Sequence, residues 1–146
     1  MPKLTDKAIK FFFLTQGITL RNRNKLKHYL KNILEKEGKK LGYLNCIFCS
    51  DEFLLEINRR YLQHNYYTDI ITFDLSENSN SIQAEIYISS DRIKDNSRRL
   101  GITIKSEIHR IIFHGVLHLC GYKDKKKKEK KQMRAKEDYY LKNYKL

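Results

Sequence analysis

The stretch HGVLHLCGYKD, His114 to Asp124, constrains this chain more than any other. Residues 104–120 are strongly apolar at helical spacing, which places both histidines on a helix. Residues four apart on a helix lie about 40° apart around its axis and about 6 Å along it, so His114 and His118 can aim both imidazoles at one ion. The H-E-x-x-H zinc sites use the same spacing. Position 115 is Gly here and not Glu, so the general base of a metalloprotease of that kind is missing and peptide hydrolysis is discounted. A glycine beside the first ligand instead lets a substrate or another backbone approach the helix closely.

A catalytic divalent site takes a third protein ligand and keeps one position open. Asp124 is the candidate. On a continuing helix it would lie about 240° round from His118, out of reach. Gly121 removes the difficulty if it adopts the left-handed conformation, ends the helix and turns the chain back. The expected metal site is therefore His114, His118 and Asp124, at the end of a central helix. His109 lies about 140° off that stripe and is not expected to be a ligand. Glu107 falls on nearly the same stripe. It either holds a histidine tautomer or faces solvent near the helix start, and the second reading is preferred.

The rest of the chain reads as one domain, 1–146, of the α+β class. Ile9 to Thr15 is a strand, 21–37 a helix with Leu26, Tyr29, Leu30, Ile33 and Leu34 on one face, and 43–49 a strand. Ser50 caps a helix whose apolar residues are Phe53, Leu54, Ile57 and Tyr61. Residues 66–76 form a strand, 76–81 a loop and 83–89 a partner strand. Asp91 caps a short helix that Gly101 ends, and the helix at 104–120 follows. A charged helix over 127–143 is anchored sparsely by Met133, Tyr140 and Leu141. This order predicts a small mixed sheet of about four strands packed with helices. Cys46 and Cys49, three apart on a strand, face opposite sides and read as two ordinary buried thiols. The head of the chain has only a short apolar run, Phe11 to Leu14, too short for a signal core or a membrane span, and the reading is cytoplasmic.

The formal charge is +13, and 123–136 carries nine Lys/Arg against two acids, a net of +7. This basic C-terminal segment, from about 125, points to a polyanion, with RNA the commonest intracellular one. A solvated lysine-rich helix is an equally weighted alternative. A membrane-surface role is rated low, because the helix has a thin apolar face.

HGVLHLCGYKD resembles the H-G-x-L-H-L-x-G-Y-D-H signature of the YbeY family of metal-dependent endoribonucleases. INRRYLQHNYYTDIITF resembles the family's L-N-x-x-Y-R…T-D-V-L-S-F block, and AEIYIS its G-D-I-x-I-S strand. The resemblance implies hydrolysis of single-stranded RNA in rRNA maturation and ribosome quality control, with the ribosomal small subunit as partner and a divalent metal, Zn2+ by preference. The family's third histidine falls on Asp124 and its arginine after the tyrosine on Leu62; Ala84-Glu85 replaces Gly-Asp. Arg60 is the candidate to clamp phosphate in the arginine's place, and Tyr66 and Tyr67 could stack unpaired bases. The alternative is a ribosome-assembly RNA-binding factor whose metal site is structural or vestigial.

Overall fold

The computed structural model describes residues 7–78 and 81–146. The head of the chain, read above as lacking a leader, therefore lies partly outside the described residues, as do positions 79 and 80 of the expected loop. The elements run β1 (Ile9–Phe13), α1 (Arg23–Lys36), β2 (Leu41–Cys49), α2 (Asp51–Leu62), β3 (Ile70–Asp74), β4 (Ile82–Ser89), α3 (Ser90–Leu100), α4 (Ile104–Leu119) and α5 (Lys127–Tyr144). The strands form one sheet in the order β1-β2-β4-β3. β1 and β4 both lie parallel to β2, while β3 runs antiparallel to β4. The helical connection between β1 and β2 is what a parallel pair requires. The expected α+β class and mixed four-stranded sheet are those observed.

Alternation along β4 decides where the core sits. Ile82, Ala84, Ile86 and Ile88 are all buried on one face, joined there by Leu44, Cys46 and Phe48 of β2. Against this face pack Leu26, Leu30, Ile33 and Leu34 of α1 and the apolar side of α4. A smaller cluster, Cys49, Leu54, Ile57 and Ile71, fills the opposite face under α2. Cys46 and Cys49 thus lie on opposite sides of the sheet, as the strand spacing requires. Both are free thiols, and burial pushes each up to about 12. Such thiols stay protonated and inert near neutral pH.

Gly115 lets α4 lie close against the sheet. A methyl group there would come within 2.9 Å of the Ile70 and Ile86 side-chain tips. The close approach is therefore made by sheet side chains under the helix. A glutamate at this position would point into packed isoleucines.

Several local expectations are corrected. β3 begins at Ile70, not Tyr66, because residues 64–66 are tied back to the end of α2. Phe53 and Tyr61 are exposed, and Leu55 and Asn58 take buried places on α2 instead. Ser89, not Asp91, caps α3 by accepting from the Arg92 amide; Asp91 accepts from the Asp51 amide across the sheet end. Ser50 caps α2 as expected. On α5 the buried stripe is Met133, Glu137, Tyr140 and Tyr144, with Leu141 only partly covered.

Candidate metal centre

Gly121 carries φ +102°, a conformation that side-chain-bearing residues rarely adopt. The Gly121 amide donates to His118 O at 3.0 Å, and the Tyr122 amide to Leu117 O at 3.1 Å. These two bonds are the helix-terminating pattern in which a left-handed glycine reverses the chain. The reversal has two products. It places the Tyr122 carbonyl 2.8 Å from His118 Nδ1, and it returns Asp124 to the histidines. Asp124 Oδ2 lies 3.1 Å from His114 Nε2 and 3.2 Å from His118 Nε2, and the two Nε2 atoms are 3.0 Å apart.

The partners of the two Nδ1 atoms decide what this triangle can do. His118 Nδ1 donates to Tyr122 O, and His114 Nδ1 donates to Glu137 Oε2 at 2.6 Å. With each Nδ1 hydrogen engaged, both neutral rings turn Nε2 lone pairs toward one point. Two lone pairs and a carboxylate oxygen facing one another at about 3 Å repel unless a cation or proton lies among them. Donors at 2.0–2.1 Å from a tetrahedral zinc ion lie about 3.3 Å from each other, close to the three separations observed. The three side chains therefore fit a divalent ion and could hold one.

Behind the triangle runs a buried polar relay. Arg110 donates to Glu107 at 2.6 and 2.7 Å and to Glu137 at 3.1 Å. Asn96 Nδ2 donates to Glu107 Oε2 at 3.0 Å. Glu107 is fully buried and bonds no histidine, so neither reading of it holds. The acid that fixes a histidine tautomer is Glu137, from a helix 23 residues downstream of His114. Burial opposes ionisation of Glu137, but the His114 hydrogen bond and the Arg110 charge outweigh it and hold the carboxyl below the ordinary range. Burial likewise disfavours the charged His114 ring, yet its bond to Glu137, with Asp124 and Asp69 nearby, leaves it above the usual imidazole value. His109 is no ligand. It is buried in the core, with Nδ1 on Lys105 O at 2.7 Å.

His114, His118 and Asp124 border an open cleft of about 450 Å³ that Asn58, His64 and Tyr66 also line. Burial pushes the Asp69 carboxyl, also in the cleft lining, above the ordinary range, with His114 and Arg110 opposing. Lys125 stands in the cleft lining, and Lys130 and Arg134 border a second cavity on the other side of His114 and Asp124. Arg60 is not brought to the site. It lies exposed on α2, 3.1 Å from Glu56. Leu62, in contrast, lines the cleft. Tyr67 is half exposed and donates to Glu52 at 2.6 Å, away from the cleft lining, whereas Tyr66 is part of it.

The family model for Endoribonuclease YbeY matches residues 14–145. The chain belongs to the YbeY family. A relative named Endoribonuclease YbeY from Cytophaga hutchinsonii is 50% identical over 138 residues, covering 94% of this chain and 96% of that protein. Relatives of the same name from Porphyromonas gingivalis and Bacteroides thetaiotaomicron are 40% and 42% identical, covering 90% and 88% of the chain and 88% and 95% of their own lengths. A Thermotoga maritima protein solved in solution superposes with a TM-score of 0.61 at 26% identity, over 93% of this chain and 88% of that one. No helix among the described residues is long and apolar enough to cross a membrane.

The Gly121 turn is directly testable. Its φ lies well outside the range open to alanine, while the space around it is free, so backbone strain alone is at issue. Gly121→Ala is expected to cost about 1–2 kcal/mol and to weaken metal binding as Asp124 shifts. Urea unfolding and metal titration of the variant measure both.

Proposed function

We propose that this chain is a metal-dependent endoribonuclease that hydrolyses phosphodiester bonds in single-stranded RNA, acting on rRNA during maturation and ribosome quality control. The observation that carries the proposal is the triangle of His114, His118 and Asp124 inside an open cleft, in a chain whose curated relatives are named for RNA cleavage. Two imidazoles and a carboxylate suit zinc. A divalent cation held there supplies Lewis acidity toward the phosphate and a source of hydroxide near neutral pH.

The chain's own residues provide the rest. Tyr122 and Glu137 fix both histidine tautomers before any ligand arrives. Lys125 on one side, with Lys130 and Arg134 on the other, gives the RNA backbone a cationic path across the site. Tyr66, half exposed in the cleft wall, offers a ring to an unpaired base. Arg60, exposed on α2, paired with Glu56 and outside the cleft lining, is given no part in this reading. The small ribosomal subunit is the proposed partner and the cytoplasm the proposed compartment. An assembly factor with a structural or vestigial metal site is not favoured, because the curated relatives matched over most of the chain are named as endoribonucleases.

Chelation tests the proposal. Cleavage of single-stranded RNA by the metal-loaded protein should stop on chelation and return with added divalent ion, while circular dichroism shows the fold intact. Cleavage indifferent to chelation would refute it, as would a metal-loaded protein that binds RNA without cutting it.

A further inference from the structure

The loop that follows α2 is braced more heavily than a surface loop needs. Gln63, at φ +56°, turns the chain out of the helix. The His64 amide then donates to Asn58 O at 3.1 Å, and Asn58 Nδ2 donates to Tyr66 O at 2.9 Å. One buried asparagine thus holds the loop on both sides of Asn65. Arg59 Nε donates to the Asn65 side chain at 2.6 Å. The result is a fixed pair of rings in the lining of the cleft that the metal triangle borders. The His64 and Tyr66 rings stack at 5.1 Å with 20° between their planes, and the Tyr66 hydroxyl lies 2.9 Å from His64 Nδ1.

The bond can run either way; the arrangement in which the Tyr66 hydroxyl donates to Nδ1 puts the imidazole hydrogen on Nε2. That Nε2 has no partner among the described residues. Charge constrains what the cleft can take. Asp69, Asp74 and Asp124 line the cleft, and Lys125 is the fixed cation among its lining residues. An anionic ligand entering there needs further N–H donors, and the His64 ring is held in place to supply one at little entropic cost.

Resting on the endoribonuclease reading above, we propose that His64 is a substrate-contacting residue whose Nε2–H donates to a non-bridging phosphate oxygen of the RNA at the cleavage site, with Tyr66 and Asn58 as the residues that position it. Tyr66 then serves twice, holding His64 with its hydroxyl and one face and leaving its other face for a base. A donor that binds the phosphate also steadies the charge that grows on it during hydrolysis, so its loss falls on kcat as well as KM.

The test is cleavage of a short fluorophore-labelled single-stranded RNA by the metal-loaded protein. His64→Ala should lower kcat/KM by roughly 10- to 100-fold, the range for a lost hydrogen bond to a charged group. Its metal content and melting temperature should stay at wild-type values, since the ring is exposed. His64→Gln, which keeps an N–H donor, should recover part of the loss. Tyr66→Phe should lose less than His64→Ala, because it keeps the stack. A His64→Ala variant that holds its ion and cleaves like wild type overturns the inference and leaves the endoribonuclease reading standing. Loss of the ion in that variant also overturns it, by making His64 part of the metal centre. A metal-loaded wild type that cuts no RNA sinks both together.

Discussion

His118→Ala is expected to release the bound ion and to lower RNA cleavage by about 10³-fold or more, a barrier increase of about 4 kcal/mol. Removing this ring deletes one corner of the triangle. Two donors remain, His114 Nε2 and Asp124 Oδ2, too few for a catalytic divalent site. It also deletes the bond from Nδ1 to the Tyr122 carbonyl, so the reversed segment that carries Asp124 loses a tether. The fold should survive, because Leu117, Leu119 and Val116 still bury the helix face against the sheet. Thermal unfolding separates the two effects. An ion that binds only the native state stabilises wild type by about 2.7 kcal/mol at a hundredfold excess over Kd. The wild-type transition should therefore rise when divalent ion is added, and that of His118→Ala should not move.

Arg110→Ala is expected to be the most damaging single change to stability, costing about 3–5 kcal/mol of the roughly 5–15 kcal/mol available to a domain. The guanidinium sits between two buried carboxylates, Glu107 with a fully buried side chain and Glu137 at 3% exposure. Burial works against its charge, but hydrogen bonding and attraction from Glu107, with Glu137 adding to it, hold it firmly protonated. Without it, Glu107 keeps only the Asn96 amide, and Glu137 keeps only His114. Glu137 would then be pushed toward protonation, and a protonated Glu137 is a poor acceptor for His114. Urea denaturation measures the stability loss. A metal titration of the folded fraction should show weaker binding as well, by roughly 10- to 100-fold. Arg110→Ala unfolding at the wild-type denaturant midpoint would show that the relay contributes little.

The metal triangle was legible in the sequence because its three side chains and the turn that gathers them fall within eleven residues. Helical spacing alone aligns the histidines, and one glycine accounts for the return of Asp124. Glu137 was not legible by the same means. It sits on a different helix, and the packing of α5 on α4 that brings it to His114 is tertiary. A signal for it does exist in the sequence. It lies between Met133 and Tyr140 on the one stripe of α5 that goes inward, and a charged residue on an apolar stripe implies a buried partner. Glu107 was misread for a related reason. Its position near a helix start suits a solvent-facing acid; Arg110 stands three residues on along the same helix, and only the packing of α3 on α4 brings Asn96 to it and closes it from solvent.

The fold was read most securely where pattern and environment coincide. The alternation in β4 and the 3.6-residue stripe of α1 both describe surfaces that face one core. Where a segment serves the cleft, pattern misled. The β-branched and aromatic run from Tyr66 reads as strand throughout. Asn58 instead holds its first residues against α2, and the sheet begins only at Ile70. His64 lies ahead of that run and carries no pattern of its own; its ring acquires meaning only in the cleft it shares with the histidines of α4.

Metal content of the purified protein, by elemental analysis of wild type beside Asp124→Ala and His118→Ala, bears most directly on the centre described here. Wild type should carry one divalent ion per chain, Asp124→Ala substantially less, and His118→Ala none. An ion retained at full stoichiometry by both variants would place the metal elsewhere and contradict the account.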